Sequence, residues 1–226
     1  MTESPKHAPT RHAMPFTRVE IAVMSLIDGS LHVLLAKRAQ APYAGRWALP
    51  GGAVRIDLDG SLDATAQRVM SERLGVKLPF LRQLSTVGGP TRDPRAPWAV
   101  SILYRALVPA EGVKLVAGKR IEALEWRAVD EVVTDTKLAF DHAALVVQAV
   151  AATRAEIYSL DLPFGFLPDE FTLGELQMAC EQLLGRRLDK SSFRRRLADR
   201  DLLEAIDGAM RIGAFRPAQL YKRKDA

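Results

Sequence analysis

The fold is decided by Trp47–Val76, WALPGGAVRIDLDGSLDATAQRVMSERLGV, which predicts a strand end, a glycine turn, an irregular loop and one short helix. The turn is Leu49-Pro50-Gly51-Gly52, where glycine is favoured because such turns often need a positive φ. Ser61 is the predicted N-cap of the helix and Gly75 its predicted C-cap. An apolar stripe faces the core between them, formed by Leu62, Ala66, Val69, Met70 and Leu74.

This spacing resembles the box of the Nudix hydrolases: Gly, five residues, Glu, seven residues, Arg-Glu, an apolar residue, any residue, Glu-Glu, any residue and Gly. Aligned backward from Gly75, the sequence matches the box at Arg68, Met70 and Glu72. Val69 and Arg73 stand where the box has glutamates. Gly60 occupies the first glutamate position, because the loop before the helix is two residues longer.

The resemblance implies a Nudix-like fold with altered chemistry. Nudix hydrolases use the box carboxylates to hold divalent cations against a diphosphate, and such ions need several oxygen ligands. Glu72 alone does not supply them, and Arg73 adds a positive charge to the site. Asp57 and Asp59 offer further carboxylates, although acidic loop residues are usually solvated. We therefore expect no catalytic residues, no metal site and no required cofactor.

The composition is that of an ordinary soluble globular protein, with 48% apolar and 26% charged residues in a chain of 226. We expect no membrane partner and a cytoplasmic location, because there is neither an apolar run of spanning length nor a signal-peptide core. A single cysteine, Cys180, excludes an intramolecular disulfide and is predicted to lie in the core. Residues 1–13 are polar, proline-bearing and predicted to be disordered.

The class expected for the whole chain is α+β or α/β, with a Nudix-like sandwich of sheet and helices at residues 14–160. Asp28-Gly29 predicts a hairpin. The predicted strands cover 18–27, 31–36, 83–87, 99–107 and 123–127, and a helix is predicted at 141–155.

Three short motifs are similar to the Nudix branch that handles ADP-ribose and related nucleotides: 46–52 (RWALPGG), 92–95 (RDPR) and 138–142 (LAFDH). Taken with the box, they predict an effector site formed by Arg46, Gly51, Gly52, Glu72, Arg92 and Arg95. The two loop arginines equally suit solvated surface charges, and Glu72 most simply pairs with Arg68. His142 is expected to be a helix-start residue with a satisfied hydrogen bond. Trp47 and Trp98 are expected in the core, although a base could stack on either.

A second domain is predicted at residues 161–226, after a segment in which prolines and a glycine interrupt the helical pattern. Thr172 and Glu175 form a capping box for one helix, and Asp189 caps a second from Lys190 to about Arg200. Residues 202–206 and 215–221 then predict a hairpin, with Asp207-Gly208 near its turn. Helix, turn, basic helix and hairpin is the order of a winged helix-turn-helix.

Positive charge concentrates where that fold touches DNA. Residues 186–200 hold seven basic residues against two acids, net +5, and residues 211–224 hold five basic residues and no acid, also +5. The predicted DNA contacts are Lys190, Ser191, Ser192, Arg194, Arg195, Arg196, Arg211, Arg216 and Gln219. The alternative for such a run is a solvated basic face. Arg196 is the arginine expected at a side edge, in contact with phosphate or an acid.

The whole chain, from about Phe16 to Tyr221, resembles the NrtR-type transcriptional regulators of NAD metabolism. That resemblance implies a homodimeric repressor on a palindromic double-stranded DNA operator, with ADP-ribose or a related nucleotide as effector. The alternatives are a divergent Nudix hydrolase acting on ADP-ribose or a sugar nucleotide, a sugar-responsive regulator of the same architecture, and a protein-binding adaptor.

Overall fold

The computed structural model describes residues 14–76, 81–109, 115–212 and 217–224. The segment predicted to be disordered, 1–13, lies outside them. In chain order the elements are β1 (Phe16–Ile27), β2 (Ser30–Arg38), β3 (Trp47–Ala48), β4 (Gly51–Ala53), α1 (Leu62–Leu74), β5 (Leu81–Gly89), β6 (Ala99–Leu107), β7 (Ile121–Ala128), α2 (Val129–Val132), α3 (His142–Tyr158), a 3₁₀ turn (Phe164–Phe166), β8 (Phe171–Thr172), α4 (Leu173–Leu184), α5 (Lys190–Arg200), β9 (Leu203–Arg211) and β10 (Ala218–Arg223).

Strand β1 is the centre of the first sheet. It pairs with β2 through the predicted Asp28-Gly29 hairpin, with β6 in parallel, and with β4 in antiparallel orientation. Strand β5 borders β6, and β7 pairs with β2. Successive side chains of a strand point to opposite faces. Ile21 therefore packs with Val69 of α1 on one face, and Met24 packs with Leu145 of α3 on the other. The expected sandwich of sheet and helices is confirmed.

Both predicted caps of α1 are present. The Ser61 side chain accepts a hydrogen bond from the Ala64 amide at 3.0 Å, and Gly75 has a left-handed φ of 69°. Four members of the predicted apolar stripe are buried, and Leu62 packs against them partly exposed. Helix α1 could be predicted from local sequence alone, because its caps and its buried face are encoded within one short segment.

The C-terminal elements form the predicted winged helix. Thr172 and Glu175 make the reciprocal capping box, with bonds of 3.1 and 2.7 Å, and β8, β10 and β9 form a three-stranded sheet. The predicted wing turn is wrong. Asp207-Gly208 lies inside β9, which continues to Arg211, and Gly208 accommodates its φ of 69° within the strand.

The two predicted domains pack through a continuous apolar core. Leu160, Leu162 and Phe166, from the segment that joins them, are buried in one cluster with residues of both. Helix α4 lies against β1, β2 and α3, and Cys180 on α4 is fully buried as predicted. The joining segment is therefore part of the core.

The two tryptophans predicted in the core differ. Trp47 is partly buried against the larger cluster. Trp98 is 51% exposed, which contradicts the prediction, because it lies in the loop before β6 and its strand neighbour Ala99 takes the buried position. Across the described ranges, no helix combines the length and apolar character needed to cross a membrane.

Candidate functional site

A cleft of about 280 Å³ opens between β1, β2, the glycine turn and the end of α1. Its charged lining consists of six cationic side chains: Arg18, Lys37, Arg38, Arg73, Arg95 and Arg120. No aspartate or glutamate lines it within the described part of the chain. We call this site the cation cleft.

Three of these cations already have acidic partners. Arg18 pairs with Glu20 at 2.7 Å, Lys37 with Glu122 at 2.7 Å, and Arg95 with Asp93. The other three, Arg38, Arg73 and Arg120, form no ion pair with any described residue. The Arg38 Nε donates to the carbonyl of Pro42 at 2.8 Å, and Arg73 donates to the carbonyl of Lys119. These neutral acceptors orient the guanidiniums without cancelling their charge.

Burial, together with the neighbouring positive charges, shifts the pKa values of two of these arginines. Burial, followed by the nearby Arg18 and Arg95 guanidiniums, lowers the pKa of Arg38 below its ordinary value. Burial and the neighbouring Arg120 likewise lower the pKa of Arg73. An anion bound between them would relieve this repulsion, so the cleft is electrostatically prepared for a negatively charged ligand.

The glycine turn forms the wall of the cleft for a steric reason. Neither Gly51 nor Gly52 has a positive φ, so the conformational reason predicted from the sequence is wrong. A Cβ on Gly51 would lie 1.7 Å from Oε2 of Glu20, and one on Gly52 would lie 2.8 Å from Cγ2 of Val69. Glycine is required here because the backbone approaches buried side chains too closely for any other residue.

Two buried polar side chains, Glu20 and His142, lie behind the glycine turn. Glu20 is 1% exposed, its Oε2 has no hydrogen-bond partner among the described residues, and burial raises its pKa against the opposing effect of Arg18. His142 Nδ1 accepts a hydrogen bond from the Leu49 amide at 2.9 Å, which confirms the satisfied helix-start role. Burial, aided by the Arg18 charge, lowers the pKa of His142 to about 3, so the ring is neutral.

The helix that resembles the Nudix box carries one half of a structural ion pair. Arg68 bonds Asp59 at 2.7 Å and the Ala53 carbonyl at 2.9 Å, which ties the long loop to the glycine turn. Asp59 was expected to be solvated, but its side chain is 2% exposed, and hydrogen bonding from Arg68 lowers its pKa. Val69 is buried. No group of three or more potential ligands from His, Cys, Asp and Glu gathers around a common point in the described ranges.

Of the predicted effector residues, Gly51, Gly52 and Arg95 line the cation cleft. The other three lie outside its lining. The exposed Arg46 covers the ring of Tyr43 at 5.5 Å, Glu72 pairs with Arg68 at 3.3 Å, and Arg92 pairs with Asp141 at 2.8 Å.

Four cleft residues were not predicted from the sequence: Arg18, Lys37, Arg38 and Arg120. Arg73 was predicted only to oppose metal binding. These residues come from distant segments. The one local signal was the basic residue at a glutamate position of the box.

The second candidate surface is helix α5. Phe193 and Leu197 are buried under it, whereas Lys190, Ser191, Arg194, Arg195 and Arg196 are exposed and Ser192 is partly exposed. The predicted division of this helix into a buried and an exposed face is therefore confirmed. Arg194 and Arg195 make no hydrogen bond or ion pair with the described residues. The Arg196 Nη2 instead donates to the Tyr158 carbonyl at 2.6 Å.

The turn that presents α5 is held firmly. Glu181 accepts hydrogen bonds from the Leu188 amide at 2.9 Å and from Arg187 at 3.1 Å, and the first of these lowers its pKa. Gly185 ends α4 with a φ of 68°, and the Asp189 side chain caps α5 by accepting from the Ser192 amide at 2.8 Å. The angle between α4 and α5 is thus fixed by side chains bonded to the turn.

The predicted wing residues have different environments. Arg211 donates to the Glu170 carbonyl at 3.0 Å. The Gln219 side-chain amide donates to the carbonyls of Ile206 at 2.7 Å and Ala209 at 3.1 Å, which braces β9 against β10. Arg216 lies outside the described residues.

Comparison with known proteins agrees with this two-part description. The NUDIX domain family matches residues 16–148, and the NrtR DNA-binding winged helix domain matches residues 163–222. The ADPR responsive transcriptional repressor NtrR of Acinetobacter baylyi is 37% identical over 208 residues, covering 92% of this chain and 82% of the relative. An ADP-ribose pyrophosphatase of Methanocaldococcus jannaschii is 29% identical over 126 residues, covering 56% of this chain and 70% of the relative.

Solved structures show the same similarity over both parts. Shewanella oneidensis NrtR complexed with a 27mer DNA has a TM-score of 0.78 at 35% identity, covering 92% of this chain and 93% of that one. The NUDIX domain of the same protein complexed with ADP ribose has a TM-score of 0.53 at 32% identity, covering 61% of this chain and 88% of that one. The chain therefore belongs to the NrtR family of transcriptional regulators, in which a NUDIX domain precedes a DNA-binding winged helix.

Proposed function

We propose that this protein is a transcriptional repressor that binds ADP-ribose in the cation cleft without hydrolysing it. The observation that carries the proposal is the charge of the cleft. It has six cations, three of them without an acidic partner among the described residues, and no carboxylate in its described lining. A nucleotide diphosphate supplies the missing negative charge, and guanidiniums bind phosphate oxygens through paired hydrogen bonds. The Acinetobacter relative that responds to ADPR and the Shewanella domain complexed with ADP ribose support this ligand.

The absence of hydrolysis follows from the same residues. A metal ion promotes hydrolysis by lowering the pKa of a bound water, which a guanidinium does not do. Val69 is buried in the core and Arg73 points its charge into the cleft, so neither holds a cation. We propose that no metal or other cofactor is required, and that ADP-ribose or a related nucleotide acts as an effector.

The DNA half of the proposal rests on the exposed basic face of α5. This helix enters the major groove, with Lys190, Ser191, Ser192, Arg194 and Arg195 nearest the bases and phosphates. One winged helix reads too few base pairs to specify a genomic site, so a homodimer binds two half-sites of a palindromic operator. The regulated genes belong to NAD metabolism, and the protein acts in the cytoplasm.

The ligand claim is tested with a matched pair of exposed arginines. Arg120→Ala removes a cation of the cleft, whereas Arg46→Ala removes one that lies outside its lining. By calorimetry with ADP-ribose we expect Arg120→Ala to weaken binding about 10- to 100-fold, because a charge-assisted hydrogen bond contributes ~1.5–3 kcal/mol. Arg46→Ala should stay within about twofold of the original affinity. Equal losses in both variants, or no binding by the unmodified protein, would contradict the assignment of the cleft.

Two further measurements separate this function from its alternatives. Incubation with ADP-ribose and Mg²⁺ or Mn²⁺, while AMP is followed, should show no turnover in the ordinary enzyme range of ~1–10³ s⁻¹. Turnover in that range would favour a hydrolase like the Methanocaldococcus relative. Heat from a pentose, with none from any nucleotide, would indicate a sugar-responsive regulator.

A further inference from the structure

Helix α3 begins at the cation cleft. At its first residue, His142 Nδ1 accepts from the amide of Leu49, which lines the cleft. Just before it, Phe140 has a φ of 56° and lies beneath two cleft arginines, Arg38 at 5.0 Å and Arg95 at 5.8 Å from its ring. An aromatic residue in this region of φ is strained, and packing on Tyr43 and His142 at ring distances of 4.8 and 5.2 Å holds it there.

The same helix ends at the winged helix. The carbonyl of its last residue, Tyr158, accepts the 2.6 Å hydrogen bond from Arg196 of α5. The Tyr158 hydroxyl contacts Arg186 in the α4–α5 turn at 3.1 Å, and one turn earlier Arg154 donates to the Leu183 carbonyl of α4 at 2.8 Å. Its 17 residues span about 25 Å, so one rigid element connects the cleft with the DNA-binding surface.

Between its ends, α3 is supported along its length. Leu145, Ala149 and Ile157 are buried in the cluster that continues into α4 and α5. Thr153 accepts from the buried Arg105 of β6 at 3.0 Å. A helix packed in this way moves as a unit, because close-packed interiors transmit displacement and resist local bending.

We propose that α3 couples the cation cleft to α5, and that Arg196 is the positioning residue that fastens α5 to it. This inference rests on the proposed function. A diphosphate that binds Arg38 and Arg95 withdraws or redirects the two guanidiniums over Phe140. The start of α3 then shifts, and the hydrogen bond at Tyr158 carries that shift to the recognition helix. Ligand and DNA affect each other's affinity by the same factor, because coupling is reciprocal.

Arg196 is distinguished from its neighbours by this contact. Arg194 and Arg195 make no hydrogen bond or ion pair with the described residues, which leaves them free for phosphates and bases. Arg196 is directed to a backbone carbonyl at the end of another helix, where a cation is also favoured by the helix dipole. It therefore sets the placement of α5, and its neighbours supply the affinity for DNA.

The test compares Arg196→Ala with Arg195→Ala, its exposed neighbour. The dissociation constant for DNA from the gene's own upstream region is measured with and without saturating ADP-ribose, at several salt concentrations. In the unmodified protein we expect the two dissociation constants, with and without ADP-ribose, to differ by about 5- to 150-fold. In Arg196→Ala that ratio should fall to within about twofold of one, with ADP-ribose affinity in the absence of DNA unchanged. Arg195→Ala should weaken DNA binding equally with and without ligand and keep the ratio.

The results of this comparison either support or overturn the positioning role of Arg196. The positioning role would be overturned if Arg196→Ala kept the full ratio of DNA dissociation constants with and without ADP-ribose. The salt dependence of DNA binding would then also be reduced by about one phosphate contact. Weaker ADP-ribose binding by the free variant would overturn it as well. If the unmodified protein shows no ratio, the proposed function fails together with this inference. Hydrogen exchange gives a second readout: exchange in α5 and the last turn of α3 should rise in Arg196→Ala and not in Arg195→Ala.

Discussion

The neutral, buried His142 makes stability depend on pH in a way that one substitution can isolate. Its pKa is about 3 in the folded protein and ~6.5 in an unfolded chain. Between these values the unfolded state binds a proton that the folded state excludes. The stabilising contribution is therefore fully present above pH ~6.5 and decreases as the pH falls from there toward 3.

The magnitude follows from the same two values. Lowering the pH from 7.5 to 5.0 should reduce the free energy of unfolding by ~2 kcal/mol. The reason is that pH 5.0 lies about 1.5 pH units below the pKa of His142 in the unfolded chain. Burial of the ring leaves no solvent screening to reduce this figure. Glu20 acts in the opposite sense, because its raised pKa makes its contribution largest at low pH and smaller as pH rises.

His142→Gln is the informative variant, since its amide oxygen can accept from the Leu49 amide but does not titrate. Urea unfolding of both proteins is followed at pH 7.5 and 5.0 by tryptophan fluorescence and circular dichroism. We expect the original protein to lose about 2 kcal/mol more than the variant between the two pH values. Glu20 is present in both proteins, but its Oε1 lies 4.0 Å from His142 Nε2, so the comparison is repeated in a Glu20→Gln background. Equal losses would refute the reasoning, because they would mean that His142 accepts a proton in the folded state.

Three more predictions follow from the close contacts and exposed charges. Gly51→Ala should destabilise the protein more than Gly52→Ala, because its Cβ meets both Glu20 and the Val19 carbonyl. Adding Val69→Ala should restore stability only in the Gly52 variant. Equal melting temperatures for the two single variants would contradict this prediction. Arg194→Ala should weaken operator binding by ~1–3 kcal/mol and leave ADP-ribose affinity in the free protein unchanged, as measured by fluorescence anisotropy and calorimetry. Burial raises the pKa of the Cys180 thiol to about 12, so a disulfide reagent should label it only on unfolding, and rapid labelling of the native protein would show that the shared core opens.

The elements that the sequence predicted best are those fixed by neighbouring residues. Ser61, Gly75, Thr172 and Asp189 each cap a helix through bonds that reach only three or four residues along the chain. The prediction failed where a distant residue decides the conformation. Asp207-Gly208 reads locally as a hairpin turn, yet β9 continues past it to Arg211 through an irregularity in its pairing with β10. There the Gln219 side chain donates to the carbonyls of Ile206 and Ala209, on either side of the dipeptide.

The cation cleft was only partly predictable for the same reason. Arg18 is placed by β1, Arg38 by the end of β2, Arg73 by the last turn of α1, and Arg120 by the loop before β7. Pairing of β7 with β2 sets Arg120 beside Arg38, and no spacing along the chain encodes that proximity. The RDPR motif suggested two ligand arginines, but one of them, Arg92, is occupied by Asp141 at the start of α3.

The positive charge of the cation cleft gives the proposed function a physical basis. In a metal-dependent site, carboxylates hold a cation that both binds the diphosphate and activates water. In the proposed function, Arg38, Arg73 and Arg120 supply fixed positive charge directly, so the cleft attracts a diphosphate without a metal-activated water. A ligand that is bound and not cleaved leaves the cleft only by dissociation, so occupancy follows its concentration. In the coupling proposed above, α3 connects this cleft to α5, so occupancy of the cleft changes the affinity for DNA, as ligand-responsive regulation requires.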